Sequence, residues 1–262
     1  MDLEKICLQV IEIAKKVGAF QRNEILKINE KIVETKSLNS LVTYVDKNSE
    51  QQIVEGLKTI DINASFFTEE ETEENNISDL TWVIDPLDGT TNFIHSLPCY
   101  AVSIALLKNK KPILGVVYVP PTDECFYTYK GSDSYLNGNK INVSNRQKLS
   151  DGLIATGFPY YDYDKLNAYV QLFEDLVKNC RGMRRWGAAA VDLVYTAAGR
   201  YDGFYEYSLN AWDVAAGCII LENAGGKVSD FSGNDNHIFG KELISGNPQI
   251  HKQLLEKVKN YF

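Results

Sequence analysis

The chain has 262 residues, 44% hydrophobic and 24% charged, so it is long enough to fold around a sizeable core as one large domain or two small ones. Asp and Glu outnumber Lys and Arg by 35 to 27, and this acidic balance argues against a nucleic-acid binder that neutralises phosphates with a basic face. The three histidines lie far apart in the sequence, which disfavours a histidine-rich metal centre and leaves carboxylates, hydroxyls or backbone groups to carry any chemistry.

The N-terminal segment, residues 3 to 20, repeats apolar side chains at helical spacing and predicts an amphipathic helix. Charged residues interrupt it, so it lacks the apolar stretch of a signal peptide, and no window approaches the ~18 apolar residues of a membrane span. The five cysteines are scattered and never form C-x-x-C pairs, which is typical of reduced thiols. We therefore expect a cytoplasmic protein that associates with neither membrane nor nucleic acid.

The first half of the chain is predicted to contain a second helix, from about Thr43 to Leu57, followed by a sheet. Between about Ala64 and Lys130 the sequence consists of short β-rich runs. Residues 108–112 separate two of these runs as a hairpin connection, so part of the sheet is expected to be antiparallel. The predicted strands are 65–67, 82–84, 101–107, 113–119 and 125–129.

From about Gly152 helical and strand patterns alternate. Gly199 and the pair Gly225-Gly226 each follow a helical pattern, where a left-handed cap is expected. Strands are predicted at 153–156, 201–207, 227–229 and 243–245, and helices at 164–179, 188–198, 212–223 and from Pro248. This pattern predicts a mixed α/β (α+β) layered architecture with a division into two subdomains near residue 150.

Residues 82–93, WVIDPLDGTTNF, carry the most informative motif. We expect an apolar strand to end on Asp85, because Pro86 cannot extend a central ladder, and Asp88-Gly89 to turn the chain into a helix. Two carboxylates three residues apart, with the Leu87 carbonyl between them, suit a hard cation such as Mg²⁺, and the following amides suit a phosphate oxygen. Taken alone, the Asp-Gly pair favours the simpler interpretation of a turn with a capping aspartate, because such turns are common.

The same string resembles the signature of the inositol monophosphatase family, the Mg²⁺-dependent, lithium-sensitive sugar-phosphate phosphatases. Further similar segments follow in the family's order over nearly all of the chain, although Thr68 stands where the family's metal loop usually has glycine. These segments are LVTYVD at 41–46, FTEE at 67–70, the K-G and N-G pairs within 130–138, RWGAAAVDL at 185–193, AGRYDG at 198–203 and AWDVAAG at 211–217.

The resemblance implies a single domain over residues 1–262, folded as a layered αβαβα sandwich of the sugar-phosphatase type. Subdomain 1–150 would contain the N-terminal helices, an antiparallel-rich sheet and the metal loop. Subdomain 151–262 would form the substrate side, with the active site between the two. The resemblance also implies a homodimer.

The metal ligands follow from the same resemblance. Glu69, Asp85 and the Leu87 carbonyl would bind a first Mg²⁺, Asp85, Asp88 and Asp213 a second, and Glu69 with waters a weaker third. Li⁺ would inhibit by replacing the second ion. The implied reaction transfers the phosphoryl group of a phosphate monoester directly to water.

The catalytic and substrate-binding residues are likewise implied by the resemblance. Thr90, hydrogen-bonded to Asp46, would orient and deprotonate the attacking water with help from Glu69. Without the family, Thr90 and Asp46 are an ordinary capping pair, Asp213 a helix cap and Glu206 a solvated residue at a strand end. Substrate would be bound by Asp88, Gly89, Thr90, the Ala189 backbone, Glu206 and Asp213.

Several positions depart from the family pattern and leave the substrate open. Ser40, directly before Leu41, stands where the family usually has Asp, a change that affects how the loop containing Lys36 is held, and Ala188 replaces a frequent Thr or Ser. Asn210-Ala211 replaces substrate-side residues of the animal enzymes. Arg184, Arg185 and Arg200 could reach a second anionic group or serve a surface or dimer role.

The leading hypothesis is a phosphatase for myo-inositol 1-phosphate or a related polyol phosphate. Fructose-1,6-bisphosphatase, histidinol-phosphate phosphatase and nucleotide 3'-phosphatase remain alternatives on the same fold, the last less favoured because it usually has Lys in place of Thr91-Asn92. A non-catalytic partner-binding module, as in some bacterial relatives that act with the transcription machinery, is an alternative of another class. The presence of all four metal carboxylates argues against it.

Overall fold

The computed structural model describes residues 1–27, 33–37, 40–159 and 162–262, with only the backbone described for 33–37 and 40–43. The side chains of Lys36 and Ser40 therefore lie outside the described residues. Within the described chain, none of the helices is long and apolar enough to cross a membrane.

The larger sheet has seven strands in the order β3-β4-β5-β6-β7-β8-β9. The pair β3–β4 is parallel and every other pair is antiparallel, which confirms the predicted antiparallel character. The strands are β3 Ser65–Thr68, β4 Leu80–Asp88, β5 Ala101–Lys108, β6 Lys111–Val119, β7 Glu124–Tyr129, β8 Tyr135–Leu136 and β9 Asn139–Lys140.

Helices α1 (Leu3–Glu24) and α2 (Tyr44–Lys58) cover one face of this sheet. The apolar stripe predicted for α1 is buried against the sheet together with the apolar residues of α2. An antiparallel hairpin of β1 (Val33–Ser37) and β2 (Ser40–Thr43), which the sequence patterns did not predict, precedes α2. Helix α2 begins one residue later than expected, because Thr43 belongs to this hairpin.

The smaller sheet has five strands in the order β11-β10-β12-β14-β13, with both parallel and antiparallel pairs. Its strands are β10 Leu153–Thr156, β11 Gly182–Arg184, β12 Gly203–Tyr207, β13 Lys227–Ser229 and β14 Glu242–Gly246. Strand β11 was not predicted, since Gly182, Met183 and Arg184 include no β-branched or aromatic residue.

The helices of the second half lie on both faces of the smaller sheet. The pair α5 (Ala189–Ala197) and α6 (Ala211–Asn223) packs between the two sheets in one apolar cluster, while α4 (Leu166–Asn179) and α7 (Pro248–Val258) cover the outer face. Glycine at position 115 of β6 lets α6 approach closely, because a Cβ there would lie 2.6 Å from the Ala216 carbonyl oxygen. The order of layers is αβαβα, as expected.

Strand β4 corrects one expectation. It does not end on Asp85 but continues through Pro86 to Asp88. Asp85 pairs with Ser103 and Asp88 with Ala101, so two residues of β4 face one residue of β5. Proline is tolerated here because the extra residue of a bulge leaves the ladder locally unpaired.

The predicted glycine caps are confirmed, and the Asn-Gly pair forms a turn. Gly199 and Gly225 have φ of +70° and +87°, directly after α5 and α6. Asn137 and Gly138 have φ of 48° and 84° between β8 and β9, the positive values that a two-residue hairpin turn requires.

Candidate active site

A cavity of about 120 Å³ opens where several element ends meet. The bulged end of β4 and the start of the short helix α3 (Thr90–Ile94) form one side. The starts of α5 and α6 and the strand β12 form the opposite side. Nine of the ten predicted site residues line it: Glu69, Asp85, Leu87, Asp88, Gly89, Thr90, Ala189, Glu206 and Asp213. Asp46 lies outside the lining and contacts it through Thr90.

Three of the lining carboxylates form a compact group. Asp85, Asp88 and Asp213 each bring one oxygen within 4.8 Å of the others, although Asp213 on α6 lies 125 residues after Asp88 in the sequence. Asp85 and Asp88 are 1% and 8% exposed, so the negative charges have little water around them. A group of buried carboxylates needs either protons or a cation.

Backbone N–H groups fix one oxygen of each carboxylate. The Leu87 amide donates to Asp85 (2.9 Å), the Ala190 amide to Asp88 (2.7 Å) and the Asn210 amide to Asp213 (2.6 Å). Each carboxylate has a second oxygen with which it can bind a cation. The local structure therefore orients the group before any ligand arrives.

The pKa values of these carboxyls are raised. Burial, followed by repulsion from Asp213, raises the pKa of Asp88 to about 7, and burial raises that of Asp213 to about 6. Burial and the charge of Glu69 raise the pKa of Asp85 well above its ordinary value. Burial and the charge of Asp213 likewise raise the pKa of Glu69 well above its ordinary value. Proton uptake is the response of the metal-free site to its own charge.

The donor set fits Mg²⁺. The cavity offers carboxylate oxygens and the Leu87 carbonyl, all hard ligands of the kind that this cation prefers. A divalent cation bound there would remove the repulsion that raises the carboxyl pKa values. The three grouped aspartates are the set expected for the second ion, while Glu69 and Leu87, expected for the first, line the same cavity.

The Thr90 hydroxyl is placed beside a buried carboxylate. It lies 2.9 Å from Asp46 Oδ1 and 3.0 Å from the Leu87 carbonyl oxygen, and it can donate its single hydrogen to only one of them at a time. Asp46 is 1% exposed on α2. The remaining lone pairs of the hydroxyl oxygen can accept a hydrogen bond from a water in the cavity.

The positions of Glu206 and Asp213 differ from the simplest interpretations of these residues. Glu206 is 7% exposed, not a solvated strand-end residue, and burial raises its pKa well above the ordinary value. Asp213 is a helix cap, forming a capping box with Asn210, and at the same time a member of the carboxylate group. The two roles are compatible, because a carboxylate has two oxygens.

The cavity also contains residues that were not predicted to line it. Gly157 and Asn210 belong to this set, and Arg185, for which several roles were open, lines the cavity with its guanidinium 5.1 Å from the Phe158 ring centre. Asn210 could have been found as the residue before the α6 pattern, whereas nothing in the sequence marks Gly157. Arg200 instead pairs with Glu124 and stacks on Tyr195.

Cys125, Cys218 and His95 lie outside the lining of the cavity. Cys125 and Cys218 are buried, and burial raises the pKa of the Cys125 thiol to about 12 and that of Cys218 well above its ordinary value. His95 is exposed at the end of α3 and does not line the cavity. Both cysteines are core residues.

The fold and this site together define a layered α/β protein with an acidic cavity suited to divalent cations. The model of the inositol monophosphatase family matches residues 2–261. The chain therefore belongs to the inositol monophosphatase family.

Individual relatives agree with this assignment. The Nus factor SuhB of Escherichia coli K12 is 40% identical over 226 residues, which cover 86% of this chain and 85% of that protein. The extragenic suppressor protein suhB of Bartonella henselae has a solved structure with a TM-score of 0.91 and 35% identity, covering 98% of this chain and 100% of that one. The IMPase of Thermotoga maritima follows with a TM-score of 0.86 and 33% identity, over 96% of this chain and 95% of that one.

Proposed function

We propose that this protein is a Mg²⁺-dependent phosphomonoesterase that acts on myo-inositol 1-phosphate or a related polyol phosphate. The observation that carries the proposal is the carboxylate group of Asp85, Asp88 and Asp213 next to the Thr90–Asp46 pair. Cation ligands and a proton acceptor within one cavity are what phosphoryl transfer to water requires. Family membership supports the same chemistry.

Different residues of the cavity would bind the metal ions and the phosphate group. Glu69, Asp85, the Leu87 carbonyl, Asp88 and Asp213 would hold two to three Mg²⁺ ions. Bound Mg²⁺ supplies neutralisation of phosphate charge, activation of water and stabilisation of the leaving alkoxide. The amides that follow Asp88 would contact the phosphate oxygens, with Gly89 keeping the backbone close to them.

Thr90 and Asp46 would control the attacking water. The Thr90 oxygen accepts a hydrogen bond from the water and takes up its proton as attack begins, while its own hydrogen moves toward Asp46 Oδ1. Attack occurs in line with the ester oxygen, which leaves on the far side of phosphorus. The phosphate released from a chiral, isotopically labelled substrate should therefore show inversion, whereas retention would require a covalent phospho-enzyme.

The substrate alcohol would lie between β12 and the start of α5. Glu206 there accepts a hydrogen bond from a substrate hydroxyl, and Ala189 offers its backbone. The buried carboxylate favours a polyhydroxylated alcohol, because a ligand without a hydroxyl would leave Glu206 unpaired. Ala188 and Asn210-Ala211 leave the choice among polyol, sugar, histidinol and nucleotide phosphates open.

A phosphate-release screen over these monoesters, with Mg²⁺ and after treatment with EDTA, tests the proposal. We expect turnover of a polyol phosphate that requires added Mg²⁺ and that millimolar Li⁺ inhibits at saturating Mg²⁺. Asp88→Asn should fold and lose most turnover. Full activity in EDTA, or in that variant, would contradict the metal mechanism.

A second candidate function is partner binding, which the names of the Nus factor SuhB relatives favour. It does not exclude catalysis, because the two can use different surfaces. The Asp88→Asn variant separates them when it is expressed in an Escherichia coli strain that lacks its own SuhB. Rescue by both forms of this chain would indicate a partner function independent of turnover, and rescue by the active form alone would indicate catalysis.

We further propose that the protein works in the cytoplasm as a homodimer. The scattered free thiols and the family assignment support these inferences. Sedimentation should then give twice the monomer mass of 29.5 kDa. A sedimentation coefficient typical of the monomer at all accessible concentrations would contradict the dimer.

A further inference from the structure

The first half of α2 places three polar side chains on the buried face of the helix. Asp46, Ser49 and Glu50 lie at i, i+3 and i+4 and are 1%, 0% and 0% exposed. Side chains of this kind are kept in a protein interior when they make hydrogen bonds. In this helix each of the three holds a different segment around the cavity.

Glu50 binds the Glu69 loop, the name used here for residues 69–75. Its Oε2 accepts a hydrogen bond from the Glu70 amide (2.8 Å), and its Oε1 accepts from the Thr72 amide (2.8 Å) and hydroxyl (2.7 Å). These three bonds begin at the residue directly after Glu69. The carboxylate therefore fixes the backbone that carries a predicted metal ligand.

The other end of the Glu69 loop is closed by a side chain of the loop itself. Asn75 accepts a hydrogen bond from the Thr68 amide (2.7 Å) and donates one to the Thr68 carbonyl oxygen (3.0 Å). Thr68 is the last residue of β3. Glu50 ties the part of the loop next to Glu69 to a different element, α2, while Lys58 at the end of the same helix pairs with Glu73 farther along the loop (2.6 Å).

Ser49 and Asp46 extend the same helix face to the rest of the site. Gln21 of α1 donates to Ser49 Oγ (3.2 Å) and to the carbonyl oxygen of Pro86 (2.7 Å), inside the β4 bulge. Asp46 accepts from Thr90. One turn of α2 therefore connects the Glu69 loop, the bulge that carries the aspartates and the proposed water-binding hydroxyl.

We propose that Glu50 is a positioning residue for the metal site: its carboxylate holds the Glu69 loop in the conformation that binds Mg²⁺. Glu50 does not line the cavity and acts through Glu69. Without it, binding of the ion would first have to order the loop, and that ordering cost lowers affinity. The inference rests on the proposed function in one respect, namely that the cavity binds Mg²⁺.

Glu50→Gln is the primary test. The amide retains one acceptor oxygen but points an NH₂ group at either the Glu70 or the Thr72 amide, so at least one hydrogen bond is lost. Calorimetric titration of the metal-free protein with Mg²⁺ should show a dissociation constant about 10- to 100-fold higher, the range for loss of a residue that orients a metal ligand. The amides of Glu70 and Thr72 should exchange hydrogen faster.

Two further variants keep the test decisive. Thr72→Val removes one donor from an exposed residue and should raise the dissociation constant about three-fold without threatening the fold. Glu55→Gln is the matched control, since Glu55 is exposed on the same helix and contacts Gln51, and it should bind Mg²⁺ as the wild type does. If Glu50→Gln does not fold, Thr72→Val decides.

The outcomes separate this inference from the proposed function. Wild-type affinity and amide exchange in Glu50→Gln and Thr72→Val would overturn the positioning role. A lower melting temperature of metal-free Glu50→Gln, with unchanged affinity and exchange, would identify a purely structural residue and would also overturn it. If the wild type binds no Mg²⁺, the proposed function fails, and hydrogen exchange alone decides whether Glu50 orders the Glu69 loop.

Discussion

At the scale of single residues, Thr90 separates catalysis from metal binding. Thr90→Ala removes the oxygen that would accept the proton of the attacking water but none of the grouped carboxylates. We expect kcat to fall about 10²-fold or more while Mg²⁺ affinity stays nearly unchanged. Steady-state kinetics at saturating Mg²⁺, together with calorimetry, measure both.

Asp46→Asn is the companion variant for Thr90→Ala. It leaves the Thr90 hydroxyl in place and removes the charge that would receive its proton. If the two residues act as one unit, the variant with both substitutions should have a kcat no lower than that of the slower single variant. A Thr90→Ala enzyme with the wild-type kcat would exclude this residue from the chemical step.

Gly157 determines where Glu206 lies. A Cβ at position 157 would fall 1.9 Å from Glu206 Oε1 and 2.0 Å from its Cδ, so Gly157→Ala must displace the carboxylate. We expect KM for a polyol phosphate to rise about ten-fold or more, because a hydrogen bond to a charged group is lost, and kcat to change little. Hydrolysis of p-nitrophenyl phosphate, whose leaving group carries no further hydroxyl, should not change.

Gly182→Ala is the control for Gly157→Ala. Its Cβ would meet Leu153 Cδ1 at an ordinary 3.5 Å. An equal loss of both substrates in Gly157→Ala would indicate general damage to the cavity rather than displacement of Glu206.

The sequence alone identified the residue types of the site but not all of their contacts. Asp85 and Asp88 are three residues apart on one strand, so their convergence with a cation was predictable from spacing. Asp213 lies far from them in sequence, and only the resemblance linked it to them. Nothing in the sequence marks Gly157 as a site residue, because its importance depends on where the side chain of Glu206 packs.

At the scale of elements, α7 docks through a buried histidine. His251 is 1% exposed, and its Nε2 lies 2.9 Å from the Ser229 hydroxyl of β13. Burial, with Lys227 and His237 nearby, lowers the pKa of His251 from 6.5 to about 4. The unfolded chain therefore binds a proton more readily than the folded one between these two pH values.

This linkage predicts acid sensitivity. The contribution of His251 is fully present above pH 6.5 and is lost as the pH falls toward 4, by up to about 3 kcal/mol. Urea unfolding from pH 8 to 4 should show a shallower loss of stability in His251→Gln than in the wild type. The exposed His95→Gln should follow the wild type, and identical curves for all three proteins would refute the linkage.

Most elements were predictable because they are long or strongly patterned. The apolar stripe of α1 and the β-rich runs of β5 to β7 indicated both type and position. The exceptions have physical reasons: β11 contains no β-branched or aromatic residue, and β4 continues through its proline by means of a bulge. The rule that excludes proline from central strands does not apply where a bulge interrupts the hydrogen-bond ladder between two strands.

At the scale of the whole molecule, the cavity concentrates negative charge between the layers. The pKa of Asp88 rises from 3.8 to about 7 in the metal-free protein, so the folded state holds a proton that the unfolded state releases. The associated stability is complete below pH about 4 and is lost as the pH rises through about 7. Bound Mg²⁺ would replace the missing protons.

The metal-free protein should therefore melt at a lower temperature at pH 8.5 than at pH 6.5, a range that lies above the titration of His251. Saturating Mg²⁺ should raise the melting temperature more at pH 8.5. Asp88→Asn in EDTA should be at least as stable as the wild type and less sensitive to pH, because it removes one of the repelling charges. Melting curves by circular dichroism measure this, and equal Mg²⁺ shifts at both pH values would contradict it.

The layered architecture was predictable as a class, since the chain alternates strands and helices in the second half after a strand-rich first half. The way in which the two halves share α5 and α6 was not predictable, because the apolar residues of α6 are spread around the helix and indicate no preferred face. The division into subdomains near residue 150 stays a prediction.

The central position of α6 has a consequence for synthesis on the ribosome. The larger sheet is complete once Lys140 has been added, but α6, which covers one of its faces, ends at Asn223, roughly 80 residues later. At elongation rates of ~5 to 20 residues per second, the nascent chain carries an uncovered apolar sheet face for ~4 to 16 s. A chaperone that binds exposed apolar surface would have this interval in which to act, and chains truncated between these two positions should aggregate.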